Sequence, residues 1–187
     1  MLNFLKICLT GMILLTTGCG LLIGNVKPVD EKSETYGIAD LSRDDPDWDK
    51  LDQPANSSED SNPSSSDVSD VVFQSKKTAS IISLNSACRP THGNPQTEDD
   101  LRKITNQLFL GVSNITMREE KELTVSSSPA LQTTIHGKMN GELMKLRSVV
   151  LRKNHCVYDL MYIARPNSFT EKEQSFDKFA ASLRLKD

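Results

Sequence analysis

Asn140-Gly141 lies between two runs of alternating apolar and polar residues, and no other dipeptide in this 187-residue chain restricts the fold as strongly. The pair favours a two-residue type I′ turn, because Asn and Gly both tolerate positive φ. That turn sets Met139 opposite Glu142. Ile135 then meets Leu146 and Leu131 meets Val150 on one face, while His136 meets Lys145 and Thr134 meets Arg147 on the other. A slip of one residue would exchange the two faces, so the agreement of pattern and turn fixes the register.

Further strands are read over 78–85, 119–126, 130–139, 142–152 and 155–164. A second tight turn at Lys153-Asn154 would set Leu146 opposite Met161 and Val150 opposite Val157. It would also draw Thr133, Ser148 and Asp159 into one polar row. Both faces of 155–163 are apolar, which implies a central strand covered on both sides. A helix is signalled by Thr97 as N-cap, by Glu98, Asp99 and Asp100 in its first turn, by the stripe Leu101, Ile104 and Leu108, and by Gly111 beyond its end. A last helix is expected from Phe169 to Leu183, with Phe176, Phe179, Ala180 and Leu183 on one side and Ser168 with Glu171 as a capping box. The fold class is therefore α+β: an antiparallel meander with one helix before it and a C-terminal helix packed on it.

The chain divides by composition. Residues 1–24 are apolar with one charge, Lys6. Residues 25–70 hold four Lys/Arg against thirteen Asp/Glu, with many Ser, Pro and Asn. That stretch reads as an acidic tether that buries too little to offset its ordering entropy. Leu41, Trp48 and Leu51 stand out within it, either as a recognition segment that folds on a partner or as an incidental cluster broken by Pro46. Residues 71–187 form one globular domain with seventeen Lys/Arg against twelve Asp/Glu. The excess is small and no basic run exceeds two residues, so nucleic-acid binding is not expected.

The N-terminal segment MLNFLKICLTGMILLTTGCG has a short basic start, an apolar stretch from Ile7 to Leu15, and small residues before Cys19. It resembles the lipobox of bacterial lipoproteins, with Thr16 standing where that family usually carries Leu. The resemblance implies a signal peptide over 1–18, lipidation of Cys19, and a lipidated tether over 19–70. The alternatives are an uncleaved membrane anchor from Leu2 to Ile23, which Gly11, Gly18, Gly20 and three Thr weaken as a spanning helix, and a plain cleaved signal. Gly20, in place of Asp, implies the outer membrane, with the domain facing the periplasm. The meander and final helix, ending PheAspLysPheAlaAlaSerLeuArg, resemble PsbP-like domains and envelope lipoproteins of the DcrB type, which implies a noncatalytic assembly or envelope role.

With Cys8 in the signal and Cys19 acylated, Cys88 and Cys156 remain in an oxidising compartment, and a disulfide between them is expected. His155 beside Cys156 does not make a nucleophilic pair, because neighbours on a strand point to opposite faces. His92, His136 and His155 have no metal-binding spacing, and no cofactor motif occurs. The Thr133–Ser148–Asp159 row reads as mutual hydrogen bonding that satisfies a buried carboxyl. The function expected is a noncatalytic envelope lipoprotein with a protein or envelope partner. The alternative is a carrier or chaperone for an apolar ligand, and an enzyme ranks last. The expected partner surface combines Thr134, His136, Lys138, Lys145 and Arg147 with Tyr162, whose ring the second register sets beside Lys145, while Tyr158 lies diagonally across from Arg147.

Overall fold

The computed structural model describes residues 36–51, 70–88, 98–153 and 156–186, with backbone alone for 98–100. In chain order these residues form β1 (Tyr36–Gly37), α1 (Leu41–Asp44), β2 (Trp48–Lys50), β3 (Val71–Ser75), β4 (Ile81–Cys88), α2 (Glu98–Leu108), β5 (Ser113–Val125), β6 (Ser128–Met139), β7 (Glu142–Lys153), β8 (Cys156–Ala164), α3 (Pro166–Ser182) and β9 (Arg184–Leu185). Seven strands make one antiparallel sheet in the order β2-β3-β4-β8-β7-β6-β5, and β1 pairs with β9 apart from it. The chain is thus α+β, with the expected meander as β5 to β8. The signal segment, Cys19, most of the tether, His92, Thr97 and His155 lie outside the described residues.

The Asn140-Gly141 hairpin has the register its turn dictates. Met139 pairs with Glu142, Ile135 with Leu146 and Leu131 with Val150. Asn140 and Gly141 have φ of 51° and 83°, as a type I′ turn requires. The β5–β6 hairpin uses the same geometry with less suitable residues. Ser126 and Ser127 have φ of 48° and 63° between the paired Val125 and Ser128. Without Asn or Gly as a signal, the start of this strand pair was not visible, and β5 begins six residues before the expected 119. A register shift between Ser113 and Met117, with Asn114 at φ 50°, marks a bulge near its start.

The second expected register is corrected. Lys153 is itself paired, with Cys156, so only Asn154 and His155 separate β7 from β8. Leu146 meets Ile163 in place of Met161, and Val150 meets Asp159 in place of Val157. Lysine favours extended backbone, and keeping Lys153 in the strand moves every pair by two residues. A two-residue shift leaves each side chain on its face, so the assignment of faces survives although the neighbours change.

Both faces of β8 are covered. On one, α3 lays Phe169, Phe176 and Phe179 against Tyr158, Leu160 and Tyr162, with Ile82, Leu84, Phe73, Val149 and Leu151 beside them, all close to fully buried. Tyr162 stacks on Phe176 with ring centroids 5.7 Å apart. On the other, α2 sets Leu101 against Leu131 and Val150, and the following turn sets Phe109 and Val112 against Ile135, Leu146 and Ile163. The turn approaches β6 at Gly137, where a Cβ would lie 2.5 Å from Val112 Cγ1 and 3.0 Å from the Ser113 carbonyl. Helix α3 starts at Pro166, ahead of the expected Phe169. Its N-cap is Arg165, which makes no side-chain capping bond, so the Ser168–Glu171 box is not the start. Proline at the first turn, with φ already helical and no N–H to satisfy, initiates the helix instead. At the other end of the sheet a disulfide joins Cys88 to Cys156, which are also directly paired residues of β4 and β8.

Residues 36–51, expected within the tether, belong to the domain. Trp48 and Leu41 are almost fully buried in the α3-side core, and β2 extends the sheet through Trp48 opposite Ser75. Pro46 breaks a helical stripe, as the sequence indicates, and the segment instead turns from a one-turn helix into an edge strand. Asp47 anchors it. Its carboxyl accepts from Ser75 Oγ at 2.7 Å and from the Lys77 N–H at 3.0 Å, and it pairs with Lys172 Nζ of α3 at 2.6 Å. Burial alone would raise this carboxyl. The bonds from Lys172, Ser75 and Lys77 outweigh burial and hold it down at about 2.

Replacing Trp48 with Ala should therefore lower the stability of the domain by about 3–5 kcal/mol, the usual cost of emptying a buried indole site. Urea unfolding followed by circular dichroism measures this, and an unchanged midpoint would mean that the segment is not part of the folded unit.

Candidate functional site

The expected partner surface lies on the side of the sheet that α3 covers, and much of it is internal. Tyr162 is fully buried and donates its hydroxyl to the Phe169 carbonyl at 2.7 Å. Burial pushes its pKa up to about 12, so the phenol stays protonated. Thr134 is buried and accepts from Arg147 Nε at 3.2 Å. Arg147, opposite Tyr162 in the sheet, also pairs with Glu173 and, at 3.3 Å, with Asp177, both on α3. Lys145 Nζ stands 4.2 Å from the centre of the Phe169 ring. These cations attach the helix to the sheet. His136 and Lys138 are half-buried beyond the helix-covered zone. The surface expected from Thr134, Lys145, Arg147 and Tyr162 is thus corrected to a helix-docking face. The sequence signals a C-terminal amphipathic helix but cannot fix how far along the sheet it lies.

Exposed apolar side chains lie instead at the end of the sheet that carries the β6–β7 turn, Leu143 on the α3 face and Ile115 on the α2 face. Leu110 is 83% exposed, Leu143 59% and Ile115 43%. Leu143 pairs with Lys138, which pairs in turn with Ser113. Ile115 approaches Gly137, beside the turn that holds Leu110. Half-buried Met139 and Met144 join the adjacent core cluster. Tyr36, where the described chain begins, packs edge-to-face on Tyr158 with ring centroids 6.0 Å apart, near the disulfide end. The described chain therefore begins near one end of the sheet, and the exposed apolar residues lie at the other. Sequence reasoning missed these residues, although Leu110, next to Gly111, and Leu143, two residues after Gly141, are the signal that could have found them. A shallow depression of about 290 Å³ lies elsewhere, between α2 and the β5–β6 turn, lined by Leu101, Arg102, Glu122, Leu123, Pro129 and Leu131.

The polar row on the α2 side is real but shorter than expected. Thr133 pairs with Ser148, which faces Met161, and Asp159 stands one row further on. The hydroxyls of Thr133 and Ser148 are buried and have no protein partner, so the expected hydrogen bonding to Asp159 is not formed. Asp159 accepts from Asn85 Nδ2 at 3.1 Å. Desolvation raises its carboxyl to about 7, against the Asn85 hydrogen bond and with help from the nearby Asp70 charge. Such a group can hold or release a proton near neutrality.

An unfolded carboxyl titrates near 3.8, and Asp159 in the fold near 7. Its contribution to stability is complete below the lower value and is lost as pH rises through the upper one. Asp159→Asn should remove this loss and raise stability at pH 8 by on the order of 1–3 kcal/mol. Chemical unfolding of both proteins between pH 4 and pH 8 checks the result, and parallel pH profiles would contradict it.

No protein-family model matches the chain, and no curated protein matches its sequence. Solved structures do match its fold. The solution structure of cyanobacterial PsbP (CyanoP) from Synechocystis sp. PCC 6803 is 12% identical, with 90% of this chain and 96% of that one covered and a TM-score of 0.53. LpqN of Mycobacterium tuberculosis, described as involved in cell envelope biogenesis, is 11% identical over 81% of this chain and 83% of that one, also with a TM-score of 0.53. At these identities the likeness is one of fold, and the chain has the α+β architecture of PsbP-like and LpqN-like domains.

Proposed function

We propose that this protein is a noncatalytic lipoprotein of the cell envelope, anchored through acylated Cys19, whose domain engages a protein partner by its free end. The observation that carries the reading is the placement of Leu110, Ile115 and Leu143, exposed at the end opposite Tyr36. A tethered domain presents such an end away from its membrane, and large apolar residues exposed on both faces of that end, with Lys138 and Glu142 beside Leu143, have the composition of a protein contact. The envelope role attributed to LpqN is in keeping with it. A carrier for an apolar ligand is less well supported. The space beneath α3, where such a ligand would lie, is filled by Phe169, Phe176, Phe179 and Tyr162. No described helix is long and apolar enough to cross a membrane. In this reading the lipid on Cys19 makes the attachment, and Gly20 favours the outer membrane.

Two experiments test the proposal. Cys19→Ser should abolish metabolic lipid labelling and release the protein from membranes or leave it as precursor, and normal labelling would refute the anchor. A photo-reactive amino acid at position 143 or 110 should give a discrete protein adduct in intact cells, with about tenfold lower yield from position 178 on the outside of α3. Equal yields from all three positions, or lipid adducts in place of protein, would refute a protein-binding free end.

A further inference from the structure

The sheet ends on one side at β2, three residues long and held by Trp48, and on the other at β5, thirteen residues long and exposed along nearly its whole length. Helix α2 packs mainly over β6 and β7 and reaches β5 through Arg102, and α3 packs over β7 and β8, so the outer backbone edge of β5 is the end of the sheet. An edge of this length presents a row of unpaired backbone N–H and C=O groups, which natural sheets normally shorten, cover or spoil.

The side chains of this edge have a definite order. From Met117 to Leu123 the sequence reads MetArgGluGluLysGluLeu. Arg118, Glu120 and Glu122 share the α2 face with Thr133 and Leu131, and Met117, Glu119, Lys121 and Leu123 share the α3 face. A second β5 can join antiparallel only about a two-fold axis perpendicular to the sheet. That operation keeps each face on its own side, so a residue can oppose only residues of the same face.

Placing the axis at Glu120 sets Arg118 opposite Glu122 of the second copy, Glu119 opposite Lys121, and Met117 opposite Leu123. Every pair but the central one is then oppositely charged or apolar on apolar. The central Glu120 side chains come together already neutralised, because each accepts from Arg118 Nη2 at 2.7 Å and Arg102 Nε at 3.1 Å of its own chain. Moving the axis to Glu119 or Lys121 loses this. The first sets Met117 opposite Lys121 and Glu119 opposite itself, and the second sets Glu120 opposite Glu122 and Lys121 opposite itself. Cross-strand charge pairs of this kind select register.

We propose that β5 pairs with β5 of a second copy, centred on Glu120, so that two domains share one continuous fourteen-stranded sheet, twice the seven of one copy. The bulge between Ser113 and Met117 ends the ladder on one side and the Ser126-Ser127 turn ends it on the other. The ladder stops at the bulge that contains Ile115 and does not include Leu110 or Leu143, so it is independent of the partner proposed for that end.

The test uses the full chain in its own membranes. Glu120→Cys should give a disulfide-linked dimer on mild oxidation, above the level of the unsubstituted protein, whereas Glu119→Cys and Lys121→Cys, each alone, should not. Crosslinking of Glu119→Cys or Lys121→Cys to itself with none from Glu120→Cys would overturn the register. No dimer from any of the three would overturn the interface. In the Glu120→Cys protein, adding Glu119→Lys or Lys121→Glu sets like charges across the interface and should lower the dimer yield about tenfold. The combined Glu119→Lys and Lys121→Glu exchange should restore it. Failure of the exchange to restore dimer while circular dichroism reports a native fold would overturn the charge pairing.

Discussion

The two-sided burial of β8 is the constraint on which the rest of this structure depends. Leu160 and Tyr162 are fully buried on the α3 side, and Met161 and Ile163 are nearly so on the α2 side. A strand apolar on both faces cannot lie at the surface of a two-layer domain, so it must be central with a helix on each side. The chain supplies the helices at opposite ends of the meander, α2 before β5 and α3 directly after β8. With β8 central, β4 and β7 become its neighbours, and the remaining strands extend to two unlike edges.

Much of this was legible in the sequence, for reasons that can be stated residue by residue. Asn140-Gly141 fixed a register because its turn chemistry and the flanking alternation point to one answer. Leu101, Ile104 and Leu108 marked α2 by spacing. The rest was hidden where one signal was weak. Ser126-Ser127 makes the same turn without the residues that announce it. Lys153-Asn154 offers a turn one residue early, but lysine disfavours the positive φ that turn requires, and the strand continues through Lys153. Trp48 and Leu41 lie in a stretch so acidic that composition argues for a tether, yet the pairing of Lys172 with Asp45 and Asp47 and the buried Trp48 indole tie it to α3. Composition averages over a window, whereas docking depends on particular side chains.

The candidate surface shows the same limit. Arg147 and Lys145 were read as free cations beside aromatics, and the register of β6 and β7 was right. What periodicity could not supply was the position of α3, whose Phe169, Glu173 and Asp177 meet those cations. A cation on a sheet face is evidence for a partner, and here the first partner is the chain's own helix.

The attachments of the domain are polarised. The described chain starts against Tyr158, and the Cys88–Cys156 disulfide closes β4 to β8 at that same end. Cross-linking two residues 68 apart in sequence restricts the unfolded chain and disfavours opening of the central pair from the end where the chain enters. The opposite end has no such covalent restraint among the described residues, and its integrity depends on Phe109, Val112 and Ile135 closing over Gly137. A domain held firmly at its point of entry and packed through adaptable Met139 and Met144 at the far end can adjust its contact surface without disturbing the central strands. The two ends of the domain are thus restrained differently, one by a covalent bond and the other by side-chain packing alone among the described residues.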